Sequence, residues 1–353
     1  MPVDEYIEKL LASPRFAGQI RTHRLLPGRD ARFADSRLPW PAAMRRLLEA
    51  RGLERLYAHQ ALATDYVRSG RSVVVATPTA SGKSLVYHLP VLERYLQDPD
   101  ARALYLFPLK ALAQDQLSSF NSLCALWPEI SRPRAALYDG DTSEHFRRKI
   151  RRDPPQVLIS NPEMLHLAIL PHHEQWAAFL AGLSHVVVDE AHTYRGVFGA
   201  HMAQVFRRLN RLAGRYGARP TYIFCTATVG NPGELASALC GADEADGLPA
   251  PVVVDESGAP QGPRHVVFLA PEQSPSTAAI DLLKAALARD LRTIVYCRSR
   301  RMTELISLWA GSLHGAYAGK IAAYRAGYLP EERRDIEARM ASGELLAVVS
   351  TSA

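Results

Sequence analysis

Nine short runs of β-branched and aliphatic residues constrain this chain more than any other feature. They are SVVVAT (72–77), ALYLFP (103–108), QVLIS (156–160), HVVVDE (185–190), TYIFCTAT (221–228), PVVVDE (251–256), HVVFLA (265–270), TIVYCRS (293–299) and LLAVVS (345–350). Continuous apolar runs, rather than strict apolar–polar alternation, fit strands covered on both faces, as in a parallel sheet. Helical periodicity fills the intervals, as in 42–52, 85–97, 201–217 and 277–290. Strand alternating with helix predicts βαβ units and an α/β fold, a parallel sheet flanked by helices.

A length of 353 residues suggests two domains. The turn-rich stretch SGAPQGPR (257–264) has no apolar period and reads as the crossing between them. The expected division is an N-terminal extension over 1–55, a first domain over 56–258 and a second over 259–353. Cys124, Cys225, Cys240 and Cys297 are scattered without CxxC spacing, which argues against a disulfide scaffold or a compact zinc site. No apolar run reaches the ~18 residues of a membrane span. The first segment carries Asp4, Glu5 and Glu8 where a secretory signal is basic and then apolar, so a cytoplasmic location is expected.

The strongest chemical signal is SVVVATPTASGKSLVYHLPVL. A strand ends at Ala76, a small-residue loop covers Thr77, Pro78, Thr79, Ala80, Ser81 and Gly82, and Lys83-Ser84 open a helix. Loop N–H groups and a helix N-terminus cradle phosphate, a lysine reaches the terminal phosphates, and a serine hydroxyl ligates Mg²⁺. The general P-loop pattern has glycine where this chain has Thr77. In SHVVVDEAH, a hydrophobic strand delivers Asp189 and Glu190 to its carboxyl end, where α/β proteins place ligands. Asp189 is the expected Mg²⁺ ligand, and Glu190 the group that orients and deprotonates the attacking water, with Lys83 as its catalytic partner at the phosphates.

DEAH (189–192) together with TPTASGKS (77–84) resembles the superfamily-2 DEAD/DEAH-box helicases, P-loop NTPases built from two RecA-like domains. The resemblance implies ATP and Mg²⁺ as cofactors. LYAHQ (56–60) resembles the adenine-reading element, with Gln60 on the base and Tyr57 as a further contact. FPLKALAQDQ (107–116) and ISNPEML (159–165) resemble segments that touch the nucleic-acid backbone, which implies roles for Pro108, Lys110, Gln114 and Asn161. CTAT (225–228) resembles the motif that couples hydrolysis to movement, with His192 bridging to Thr226 and Thr228. TIVYCRSRRMTE (293–304) and AVVSTSA (347–353) resemble second-domain backbone contacts, with Arg298 and Arg300 as candidates.

YDGDTSEHFRR (138–148), DEAHTYRGVFGAH (189–201) and YRAGYLPEERRDIE (324–337) resemble the YprA/MrfA-like DNA helicases. Members are 3′-to-5′ DNA translocases linked to DNA repair, with a four-cysteine metal site in a C-terminal domain. The family's QxxGRxGR-type arginine-finger motif is not found in these 353 residues. The expectation is a chain truncated within the second RecA-like domain. On that reading the fragment alone binds nucleotide and DNA with little turnover. An RNA helicase is the alternative, because a protein that tracks phosphates need not probe the 2′-OH.

Charge adds a partner class without naming one. Net charge is +6, and only six of the 42 basic residues are lysine. Arginine suits bidentate phosphate contact, and genomic base composition would yield the same excess. The Arg207, Arg208, Arg211, Arg215 series has helical spacing and reads as a solvated helix face, and His172-His173-Glu174 as a loop.

Overall fold

The computed structural model describes residues 2–127, 131–242, 248–312, 317 and 319–351, so the last two residues of the AVVSTSA segment lie outside the description. The strands are β1 (Ile20–Leu26), β2 (Phe33–Ala34), β3 (Leu56–Tyr57), β4 (Val73–Ala76), β5 (Arg102–Leu106), β6 (Ala135–Tyr138), β7 (Val157–Ser160), β8 (Leu183–Val188), β9 (Thr221–Thr226), β10 (Val252–Val254), β11 (Arg264–Leu269), β12 (Thr293–Tyr296), β13 (Ile321–Tyr324) and β14 (Ala347–Ser350). The helices are α1 (Pro2–Leu11), α2 (Ala42–Ala50), α3 (Ala58–Arg68), α4 (Ser84–Gln97), α5 (Lys110–Cys124), α6 (Glu144–Arg152), α7 (Pro162–Met164), α8 (Ala177–Ala181), α9 (Gly196–Arg215), α10 (Pro232–Cys240), α11 (Pro275–Leu287), α12 (Arg300–Ser312) and α13 (Pro330–Ser342). None of these is long and apolar enough to cross a membrane.

Two compact units emerge. The larger spans Arg29–Gln261, and the smaller joins residues 1–28 to Gly262–Ala353. The larger unit holds a seven-stranded sheet in the order β10-β4-β9-β8-β5-β7-β6. Every pairing in it is parallel, as the continuous apolar runs require. Alternate side chains enter opposite cores. Val186, Val188, Tyr222 and Phe224 join α9 residues Met202, Phe206 and Leu209 on one face. Val73, Val75, Val187, Ile223 and Cys225 meet Val86, Tyr87, Leu89 and Leu92 on the other. Because all seven strands run the same way, their carboxyl ends share one edge of the sheet.

In the smaller unit β14 lies between β12 and β13 in a parallel three-stranded sheet. The run 265–270, expected to be a strand buried on both faces, instead forms an antiparallel ribbon with β1. Only one face of that ribbon is covered, by Ile7, Leu10 and Phe16, and Phe268 on β11 is exposed. The expected N-terminal extension is therefore divided, its first 28 residues grouping with the smaller unit and the remainder with the larger. The turn-rich stretch is pinned rather than free as far as Gln261. Gly258 carbonyl oxygen accepts from Arg32 N at 2.8 Å, and its own N–H donates to His59 Nδ1 at 3.1 Å.

A buried ion pair ties the chain before α2 to the sheet's helical layer. Arg68 on α3 donates to Glu93 on α4 at 2.7 Å, and to the carbonyl oxygens of Leu38 and Pro39 at 2.6 and 2.9 Å. Its guanidinium also lies 3.8 Å from the Trp40 ring centroid. With 5% and 9% of the two side chains exposed, removing one partner strands a buried charge. Arg68→Met is expected to cost ~3–5 kcal/mol, and adding Glu93→Leu to recover most of it. Denaturant unfolding of the two variants checks both numbers.

Candidate active site

The carboxyl edge of the large sheet collects most of the predicted site residues. After Ala76 the chain crosses Thr77–Lys83 and enters α4 at Ser84. Ala80 (φ +62°) and Gly82 (φ +78°) adopt left-handed backbone conformations, which a non-glycine residue such as Ala80 rarely takes. Gly82 is required twice over, since a Cβ there would stand 2.5 Å from Gln60 Nε2. The loop is closed by the Thr77 and Ser81 hydroxyls, 2.7 Å apart and buried. Lys83 Nζ folds back to donate to the carbonyl oxygens of Thr77 and Pro78 at 2.8 and 2.9 Å. Thr79 and Ala80 are exposed, and Ser84 is half-buried at the head of the helix.

Gln60 is buried against this loop. Its Nε2 donates to the Gly82 carbonyl oxygen at 2.9 Å, and its Oε1 accepts from Tyr57 N at 2.9 Å. Both ends of the amide are engaged within the protein. Tyr57 stacks between Phe33 and His59, at centroid distances of 5.2 and 6.1 Å. His59 was not singled out from sequence. Burial lowers its pKa to about 4, so a neutral imidazole lies beside the loop and adds no charge to it.

Asp189 follows β8 and is held by its own turn, where Glu190 N donates to Asp189 Oδ1 at 2.8 Å. Burial pushes the Asp189 pKa up to about 6 and the Glu190 charge adds to the rise, while the Glu190 N–H and the Lys83 ammonium oppose it. Glu190 takes a left-handed conformation (φ +50°), a strained choice for a non-glycine residue. His192 Nδ1 lies 3.2 Å from Glu190 Oε2 and 3.4 Å from Thr226 Oγ1, linking the turn to the end of β9. Thr228 is exposed, two residues beyond β9. Neither Lys83 nor Asp189 makes an ion pair among the described residues, nor does any cluster there of three or more His, Cys, Asp or Glu suit a metal on its own. A free ammonium beside a phosphate-cradling loop, a serine hydroxyl and a desolvated carboxylate fit a triphosphate and the divalent cation it carries.

Farther along the same edge lies a groove of about 840 Å³. Pro108 and Lys110 line it after β5, Asn161 after β7, and Phe198, His201, Met202, Arg208 and Arg211 from α9. Gln114 is exposed on α5 outside this lining. Lys110 is ion-paired to Asp141 at 2.7 Å, with both side chains more than half exposed. Asn161 Oδ1 caps α7 by accepting from Met164 N at 2.8 Å. Arg208 and Arg211, read from sequence as part of a solvated face, share this groove with Lys110 and Asn161 and carry no ion pair among the described residues. Helical spacing located their face and could not show what it adjoins. Arg298 and Arg300 are exposed in the smaller unit, at the end of β12 and the start of α12. His173, expected in a loop, bonds the Tyr216 hydroxyl at 2.8 Å.

Residues 57–235 match the DEAD/DEAH box helicase family. The chain belongs to that family. The curated relatives of this chain include a Bacillus subtilis protein described as the uncharacterized ATP-dependent helicase YprA. That protein is 44% identical over 87% of this chain and 41% of its own length. The Saccharomyces cerevisiae ATP-dependent helicase HRQ1 is 34% identical over 99% of this chain and 33% of its own. A crystal structure of the helicase MrfA bound to DNA and AMPPNP superposes with a TM-score of 0.90 at 40% identity, over 99% of this chain and 48% of that one. The chain thus spans less than half the length of these curated relatives.

The Asp189 shift gives a prediction with a definite sign. Its folded-state pKa of about 6 stands above the ordinary 3.8, so the folded state holds the proton more tightly. Stability from this group falls as pH rises between those values, and the full cost is present above them. In nucleotide-free protein, Asp189→Asn is expected to raise the melting temperature by roughly a few degrees at pH 8 and much less at pH 4. Thermal scans at the two pH values check it.

Proposed function

We propose that the chain is the motor portion of an ATP-dependent DNA helicase, moving along single-stranded DNA in the 3′-to-5′ direction and serving DNA repair in the cytoplasm. One observation carries this reading: the phosphate loop, the Asp189–Glu190 turn and the basic groove share one edge of one parallel sheet. Similarity to helicases, one of them crystallised with DNA and AMPPNP, supports the choice of DNA and of ATP.

Loop N–H groups between Thr79 and Ser84 receive the β- and γ-phosphates, and Lys83 exchanges its two carbonyl partners for phosphate oxygens. Ser84 and Asp189 would hold Mg²⁺. That ion supplies neutralisation of the charge that develops on the phosphates. Glu190 accepts a proton from the attacking water as the water oxygen bonds to the γ-phosphorus. The bond from that phosphorus to the bridging oxygen breaks, and ADP leaves with the electron pair. His192 holds the Glu190 carboxylate and contacts Thr226, so a change at the turn reaches β9 and, through Thr228, the loop beyond.

The groove suits a polynucleotide backbone. Lys110, Arg208 and Arg211 offer charge, Asn161 offers an amide, and none of them requires a particular base. Arg298 and Arg300, exposed in the smaller unit, have the chemistry for phosphate contact. Tyr57 and Gln60 border the adenine position, where Gln60 must give up an internal bond to read the base.

The test is ATP hydrolysis with and without single-stranded DNA, beside RNA of equal length. DNA is expected to stimulate more than RNA. Lys83→Ala should abolish nucleotide binding, whereas Glu190→Gln should still bind and lose about 10²–10⁴ in turnover. Greater stimulation by RNA would move the assignment to RNA, and undiminished turnover in Glu190→Gln would remove Glu190 from the chemistry.

A further inference from the structure

The backbone turns sharply between the DEAH segment and the groove. Glu190 and Gly196 are left-handed, at φ +50° and +57°. At Gly199 a Cβ would stand 2.4 Å from the Tyr194 carbonyl oxygen, so only glycine lets α9 start this close to the turn. These three positions fix Tyr194 against the first turn of α9.

Tyr194 and Phe198 divide the space between the two sites. Tyr194 is fully buried, and its hydroxyl has no hydrogen-bond partner. An orphaned buried hydroxyl is costly, by about 1–3 kcal/mol, and calls for a reason. The Tyr194 backbone N–H donates to the Ala191 carbonyl oxygen at 3.1 Å, and Thr193 N donates to that of Glu190 at 2.9 Å, which ties Tyr194 to the turn. The Tyr194 ring stacks on Phe198, with centroids 5.5 Å apart and planes 19° from parallel. Phe198 in turn is 47% exposed and lines the groove beside Lys110, Asn161 and Arg208. It stands outside the buried core cluster that contains Tyr194. A water-exposed aromatic ring among basic and amide groups is the surface on which an unpaired base stacks, with a gain of about 1–3 kcal/mol per base.

We propose that Phe198 is a base-stacking platform of the groove, and that the Phe198–Tyr194 stack couples occupation of the groove to the Asp189–Glu190 turn. This rests on the helicase reading of the site. A base seated on the free face of Phe198 fixes that ring, and the ring fixes Tyr194. Because α9 starts against the Tyr194 carbonyl oxygen at Gly199, and Tyr194 and Thr193 bond back to Ala191 and Glu190, a shift of the Tyr194 ring is passed to the turn. Moving that turn changes how well Asp189 and Glu190 are placed for a cation and its triphosphate. Tyr194 acts as a positioning residue, since it touches neither ligand.

Coupling between two ligands is reciprocal, so it can be read without turnover. The experiment measures the affinity of the chain for fluorescent mant-AMPPNP with Mg²⁺, alone and with saturating oligothymidylate. The parent is expected to bind the nucleotide about tenfold more tightly with the oligonucleotide, a common size for such coupling. In Phe198→Ala the ratio should fall to about one while the oligonucleotide is still saturating, and in Phe198→Tyr it should return. Equal ratios in the parent and Phe198→Ala, or no coupling in the parent, would overturn the proposal. A parent that binds no oligothymidylate would instead overturn the helicase reading on which it rests.

Discussion

The desolvation of one carboxylate organises this molecule. Asp189 ends an apolar strand in the middle of a parallel sheet, and burial lifts its pKa to about 6. An isolated carboxylate is costly there, because the interior stabilises charge poorly. The neighbouring groups only partly offset that cost: a backbone N–H from Glu190, the Lys83 ammonium and the Tyr87 hydroxyl. A site that keeps such a group ionised at neutral pH is poised for a cation, and the adjoining Thr77–Lys83 loop has the form that would receive the anion bringing one. The fold and the local strain serve this placement. β9 lies between β8 and the loop strand β4, which sets the loop and the turn on one edge with Thr226 between them.

The second half of that edge follows from the same parallel geometry. Residues after β5 and β7 reach the edge with no special device, and α9 crosses toward them because its apolar face packs on the sheet. One helix therefore contributes to the core through Met202, Phe206 and Leu209, and to the groove through Phe198, Arg208 and Arg211. Charge in the groove is partly compensated, since Lys110 is paired with Asp141, and the α9 arginines are the less encumbered cations. Phosphate contact that depends on these residues should be strongly salt-sensitive.

Much of this was legible in the sequence, for physical reasons that also mark the limit. Strands β4, β5, β7, β8, β9 and β10 are apolar on both faces, so uninterrupted Val, Ile and Leu announce them. β6 (AALY) and β13 (IAAY) rely on alanine and carry no such signal, and β1 (IRTHRLL) is a half-exposed ribbon strand. β11 misleads because a continuous apolar run can also serve a two-stranded ribbon with one open face. The phosphate loop and the Asp189–Glu190 turn were visible because their chemistry is local in the chain. The pairing of Lys110 with Asp141, the engagement of both ends of the Gln60 amide, and the convergence of Arg208 with Asn161 depend on neighbours distant in sequence. Spacing along one helix cannot reveal them.

Proton release on nucleotide binding tests the central claim most directly, namely that Asp189 is held half-buried and desolvated for a cation delivered with a triphosphate. Calorimetric titration with Mg-AMPPNP in buffers of different ionisation enthalpy counts the protons, and the analogue survives with Glu190 left in place. With a pKa of about 6 the carboxyl is half-protonated at pH 6 and ionised at pH 8. Binding should therefore release about half a proton more at pH 6 than at pH 8, an excess that Asp189→Asn abolishes or replaces with loss of binding. Tight binding with the same proton count at both pH values, unchanged in Asp189→Asn, would contradict the account.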